Sequence, residues 1–185
     1  GTVSVPPIMI SMLILILAFN KNNIFRYSTE IIIMIVLLGL VPALAYVLSS
    51  IIPEVKAKGR EGQRKLAFIT NLVGYSMALS WAVLTNVKKE LLLICLTYFL
   101  SVVFLTICNK GFHFRASGHA SSFTGPLILM IYFLGWKVLI PALVIAVLIV
   151  WSSIYLKRHT IKELAAGMLV NILAFAVSII IITVF

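Results

Sequence analysis

An all-α bundle of transmembrane helices is the fold class this sequence predicts, and three observations carry the prediction. First, 62% of the 185 residues are hydrophobic and 11% are charged, with a mean hydropathy of +1.16. A soluble domain is nearer 45–50% apolar and roughly 25% charged. Second, the apolar residues come in runs close to the ~20 residues that a spanning helix needs. Third, runs such as 31–48 lack the apolar–polar alternation of barrel strands. A bilayer admits only helices or closed barrels, because its core offers backbone groups no water.

Seven segments qualify as spans, with six as the nearest alternative count: 3–19, 30–52, 66–85, 91–108, 120–136, 138–156 and 161–185. The first has no charged n-region, so it reads as a retained span rather than a signal peptide. The second and fourth open beside Glu30 and Glu90, where acids suit a helix dipole. Pro42, Pro126 and Pro141 fall inside the second, fifth and sixth and are expected to kink them. Cys95 and Cys108, placed on one helix, stand about 20 Å apart, beyond disulfide reach. No soluble domain, repeat or low-complexity tract interrupts the pattern, so residues 1–185 form one transmembrane domain.

The segments between spans carry the charge. Fifteen Lys and Arg face five acids, for a net +10, and Asp is absent. Because the cations sit in short connections, anionic head groups or phosphate-bearing substrates fit them better than nucleic acid does. Three connections are the densest: 53–65, 109–119 and 157–160, the last running into Ile161-Lys162-Glu163. Two spans separate each from the next, so all three return to one membrane face. That face gathers ten of the fifteen cations and all three His residues.

The chemistry-bearing residues there are Ser117-Gly118-His119, His159 and Glu163. A Ser-Gly pair before a helix offers a hydroxyl and approachable backbone N–H groups to an oxyanion. His119 beside them suits proton transfer near neutral pH. His159 and Glu163 are four apart, hence on one face of a helix that starts near His159. A carboxylate on one ring nitrogen fixes the tautomer and frees the other as nucleophile or base. Cations can then neutralise a phosphoryl group in transfer. Two His and a carboxylate also suit zinc, but the spacing matches no compact zinc motif. No metal or cofactor is expected. His113, flanked by Phe112 and Phe114, reads as interfacial packing.

These residues resemble a known family. Arg115-Ala116-Ser117-Gly118-His119-Ala120 is similar to the Pro-Ser-Gly-His signature of the type 2 phosphatidic acid phosphatase superfamily. Ser152 through Glu163 resembles that family's third motif, Ser-Arg, five residues, His, three residues, Asp. Leu164-Ala165-Ala166-Gly167 fits the small-residue helix start that follows. Lys58 and Lys65 have the offset of the first motif (Lys, six residues, Arg-Pro), with Arg64 as the alternative. The resemblance spans 56–185 and departs in places: Ala116 stands for Pro, Glu163 for Asp, Ser153 for the motif-three Arg, and Lys65 for the motif-one Arg.

The resemblance implies an integral-membrane lipid phosphatase acting on a lipid phosphate or diphosphate, with a polyisoprenyl lipid as one candidate. His159 would attack phosphorus, Glu163 orient it, and His119 protonate the leaving oxygen and then activate water. Ser117, Gly118, Lys58 and Lys65, with Arg64 as alternative, would hold the phosphate. Arg115, Lys157 or Arg158 would replace the missing Arg. The rival expectation is a noncatalytic lipid-phosphate binder or a transporter; the near absence of charge within the spans argues against the transporter. The cell membrane is the expected location. Ten cations to five put the motif face in the cytoplasm, whereas leaving out the motif loops reverses the orientation.

Overall fold

The computed structural model describes residues 6–21, 23–112, 114–157 and 159–184. His113 and Arg158 lie outside the described residues. Among the described residues every regular element is helical: α1 (Pro6–Asn20), α2 (Ser28–Met34), α3 (Val41–Ile51), α4 (Pro53–Ala57), α5 (Gly59–Leu84), α6 (Lys89–Thr106), α7 (Gly118–Leu134), α8 (Leu139–Tyr155) and α9 (Ile161–Val184). A π-helical stretch, Ile35–Leu40, joins α2 to α3, and another, Ile107–Gly111, extends α6.

Among the described residues, five helical stretches are long and apolar enough to cross a membrane: Ser28–Ile51, Glu61–Leu84, Lys89–Gly111, Gly118–Tyr155 and Ile161–Val184. The protein is a helical membrane protein. The difference from the expected seven has two sources. α1 is apolar, but its described residues number 15, short of the ~17–25 a span takes; residues 3–5 of the expected first span lie outside the described residues. α7 and α8 run on through a 3₁₀ turn as one 38-residue stretch, which would be about 57 Å long if straight. It is not straight. Gly135, at φ +75°, supplies a backbone conformation that L side chains rarely adopt. Ala142 of α8 then packs back against Phe123 and Leu127 of α7.

Hydropathy misjudges the segment 53–65, which is helical rather than a loop: it forms α4 and the first turns of α5. Lys, Arg, Glu and Gln are good helix formers, so polarity there marks where the chain leaves the apolar layer, not where the helix stops. The three prolines sit in different local settings. Pro42 cannot donate to Leu38 and crowds its carbonyl, and the chain passes through π-helical geometry just before it. Pro141 lies in the first turn of α8, where its missing N–H costs nothing, so it opens a helix instead of bending one. α7 continues as one helix through Pro126.

α6 is the centre of the bundle. Nine of its residues are buried, from Leu91 to Leu105, and it packs against both α5 and α9. α9 also packs on α7, and α1 lies against α7 and the π-helical stretch. α6, α7 and α9 thereby hold the starts of α7 and α9 side by side. The thiols of Cys95 and Cys108 are both free.

Candidate active site

The segment between α6 and α7 is pinned before it reaches Ser117. The Asn109 amide donates to the carbonyls of Leu105 (2.8 Å) and Ala116 (3.3 Å), and the Phe114 N–H donates to Cys108 (3.0 Å). The Ala116 N–H donates to the Phe114 carbonyl at 2.9 Å, closing a three-residue turn with Arg115 at its apex. Proline has no N–H to give, so Ala116 makes a turn bond that the proline of the resembled signature could not make.

Ser117 is the N-cap of α7. Its Oγ accepts from the Ala120 N–H at 3.2 Å, and the residue is fully buried. Its own N–H donates to the Glu163 carbonyl at 2.9 Å, which joins the beginnings of α7 and α9. Gly167 makes the joint possible: a Cβ there would lie 2.2 Å from the Ser117 carbonyl oxygen and 2.8 Å from the Ala120 Cβ. Deeper in the bundle the Asn171 amide donates to the Ser121 carbonyl (3.0 Å) and hydroxyl (3.2 Å), a second tie between the same two helices.

At the joint, His159 Nδ1 lies 3.3 Å from Glu163 Oε2, as the four-residue spacing anticipates. The same oxygen accepts from the Thr160 N–H at 3.1 Å, while the Thr160 hydroxyl accepts from the Glu163 N–H at 3.2 Å. Thr160 and Glu163 thus form a capping box, two otherwise orphaned donors satisfied reciprocally. Sequence reasoning missed Thr160, although Thr-x-x-Glu before an apolar run is its signature. The other carboxylate oxygen, Oε1, takes Arg115 Nε at 3.4 Å. One carboxylate therefore starts a helix, orients an imidazole and holds an arginine.

The His119 ring lies nearly parallel to that of His159, with centroids 6.4 Å apart and planes 8° apart, and it meets Phe123 edge-on at 6.1 Å. Gly118 is exposed beside it. The His159 imidazole is held below its ordinary range by burial first; the Glu163 hydrogen bond opposes that, and the charges of Arg64 and Arg115 lower it further. Neutral imidazole is then the prevailing form at neutral pH, and a nitrogen nucleophile has to be in that form.

Of Lys58, Arg64 and Lys65, Arg64 is the cation whose charge bears on His159. It stands one turn before Phe68, which packs with Leu105, Ala116 and Val170 beneath the site. Lys65 falls about 100° further round α5, and Lys58 is the N-cap position of that helix. Neither lysine forms an ion pair among the described residues. Ser153, which the resemblance sets against an arginine, is buried, and its hydroxyl donates to the Ile149 carbonyl one turn back. Lys157 is exposed after α8, at φ +50°. Among the described residues no group of three or more His, Cys, Asp or Glu is placed to hold a metal ion.

Comparison with family models, with curated proteins and with solved structures finds no match to this chain.

Proposed function

We propose that this chain is a membrane phosphatase, crossing the cell membrane seven times, that hydrolyses a lipid phosphate or diphosphate through a phosphohistidine on His159. The observation that carries the reading is the Glu163-bonded His159 facing the parallel His119 ring. Glu163 on Nδ1 leaves Nε2 to form the bond to phosphorus as the bond to the leaving oxygen breaks. His119, as imidazolium, gives that oxygen its proton. As neutral imidazole it then takes a proton from the water that attacks phosphorus, releasing phosphate and restoring His159. Arg64 and Arg115 offset charge on the non-bridging oxygens, and the Gly118 N–H at the start of α7 adds an amide donor. Arg115 takes the place of the arginine missing at Ser153. Lys58, Lys65, Lys157 and Arg158 serve as outer cations that attract the anionic head group. Seven crossings, counting α1, the α2–α3 stretch and α5 to α9, put all three motif segments on one face.

A noncatalytic lipid-phosphate binder is the second reading, favoured by an uncharged, buried Ser153 where the resembled motif has an arginine. A rapid-quench assay with radiolabelled alkyl phosphate separates the two. The expected result is an acid-labile, base-stable adduct that is lost together with turnover in His159→Ala. His119→Ala should lower turnover about 10²–10⁴-fold, most with poor leaving groups. Binding without any adduct or phosphate release in the wild type selects the binder.

A further inference from the structure

α1 and α8 both pack on α7, and the space between them is a cleft of about 430 Å³ with α7 as its floor. Its walls are almost wholly apolar: Met9, Met12 and Ile16 of α1 face Ile145 and Leu148 of α8, with Met130 at the bottom. Polar groups appear at one end only, where His119, Ser152 and Ser153 line it. His119 is also the residue that faces His159, so the cleft opens directly into the candidate site. From His119 to Met130 is eleven residues of helix, about 16 Å, close to half the ~30 Å hydrocarbon thickness of a bilayer. The cleft therefore runs from the head-group level to about the midplane, the depth of one leaflet.

We infer that this cleft takes a single hydrocarbon chain of the phosphate-headed lipid, with α1 as the wall that selects it. The inference rests on the phosphatase reading for the head group, since the cations of Arg64 and Arg115 are what would draw a phosphate to the polar end. A chain anchored by its phosphate beside His119 can go down the cleft without exposing its head to hydrocarbon. Three methionines line the wall and floor. Met side chains are unbranched and polarizable, so the cleft fits saturated and unsaturated chains rather than one rigid shape. α1 lies outside the region that carries the phosphatase-like motifs, so it can vary in its lining without touching the chemistry.

The test uses wild-type protein in nanodiscs and dodecyl phosphate with a diazirine near the chain terminus. Photolabel should map to Met9, Met12 or Met130, and excess unlabelled dodecyl phosphate, but not dodecanol, should compete it away. Label spread evenly over the lipid-facing helices, or label unaffected by competitor, means that bulk lipid fills the cleft and overturns the inference. A second measurement uses Leu148→Trp, which narrows the cleft. It should lower kcat/KM for dodecyl phosphate by at least about tenfold more than for water-soluble p-nitrophenyl phosphate. If wild type hydrolyses both substrates and the variant slows both equally, the cleft assignment fails and the phosphatase stands. If wild type hydrolyses neither, the phosphatase reading fails and the labelling pattern alone decides the cleft.

Discussion

Glu163 bonds His159, Thr160 and Arg115 at once, so substitutions around it separate charge from geometry. The ionisation of His159 gives the cleanest readout. A nucleophilic imidazole loses activity as pH falls through its pKa, and burial together with Arg64 and Arg115 sets that pKa below the ordinary value. The acid limb of kcat/KM for p-nitrophenyl phosphate should therefore lie below about pH 6.5, the free-histidine value. Arg115→Ala removes a charge that disfavours imidazolium, so the limb should move up in pH while turnover falls. Glu163→Gln removes the interaction that favours imidazolium, so the limb should move down. Limbs that stay together across wild type and both variants would show that another group sets the profile. Sequence pattern gave the His–Glu pair, because i, i+4 spacing survives in any helix. It did not choose between Arg64 and Lys65, because a motif offset says nothing about which side of α5 each residue occupies.

At the scale of the helix, the contact of Gly167 with Ser117 sets how closely α9 approaches α7. Gly167→Ala puts a methyl on a backbone carbonyl, which cannot move aside as a flexible side chain would. Overpacking of this kind costs about 1–3 kcal/mol, read as a lower midpoint in a detergent unfolding titration. Gly111→Ala, with only the Ile107 side chain near its Cβ at 3.8 Å, is the matched control and should change little. Thr160→Ala removes half the capping box, at about 0.5–2 kcal/mol, and Thr160→Ser should restore it. Equal stability for Gly167→Ala and Gly111→Ala would contradict the close approach. Apolar runs located the helices well, since hydropathy measures what the bilayer requires. Their ends were less legible: capping bonds such as Thr160–Glu163 and turns such as Gly135 set them, and the charged start of α5 is helical without being apolar.

For the molecule as a whole, the seven-crossing topology requires that α5, α6, α7 and α8 each cross the membrane. Cysteines placed singly at Lys58, Gly111 and Lys157, with Cys95 and Cys108 changed to Ala, test it by labelling with a membrane-impermeant maleimide. All three positions are exposed, and a seven-crossing chain presents them to the same compartment. Opposite labelling of any two in intact cells or oriented vesicles would undo the seven-crossing topology. The approach of His119 to His159 already requires that the chain return, after α7 and α8, to the end from which it set out.

The two ties between α7 and α9, at the helix starts and again between Asn171 and Ser121, have a kinetic meaning beyond their modest energies. An interhelical hydrogen bond in a membrane averages only about 0.6 kcal/mol. Yet a pair of struts about 6 Å apart along the axis, four residues from Ser117 to Ser121, prevents rocking as well as sliding. His119 rides on one helix and Glu163 on the other, so their separation is settled when the chain folds rather than when a ligand arrives. Orientation of reacting groups accounts for as much as ~7–11 kcal/mol of a barrier in well-aligned intramolecular reactions. Under the phosphatase mechanism proposed above, the entropy of bringing His119 to the Glu163-bonded His159 would be surrendered once, during assembly in the bilayer, rather than again at each encounter.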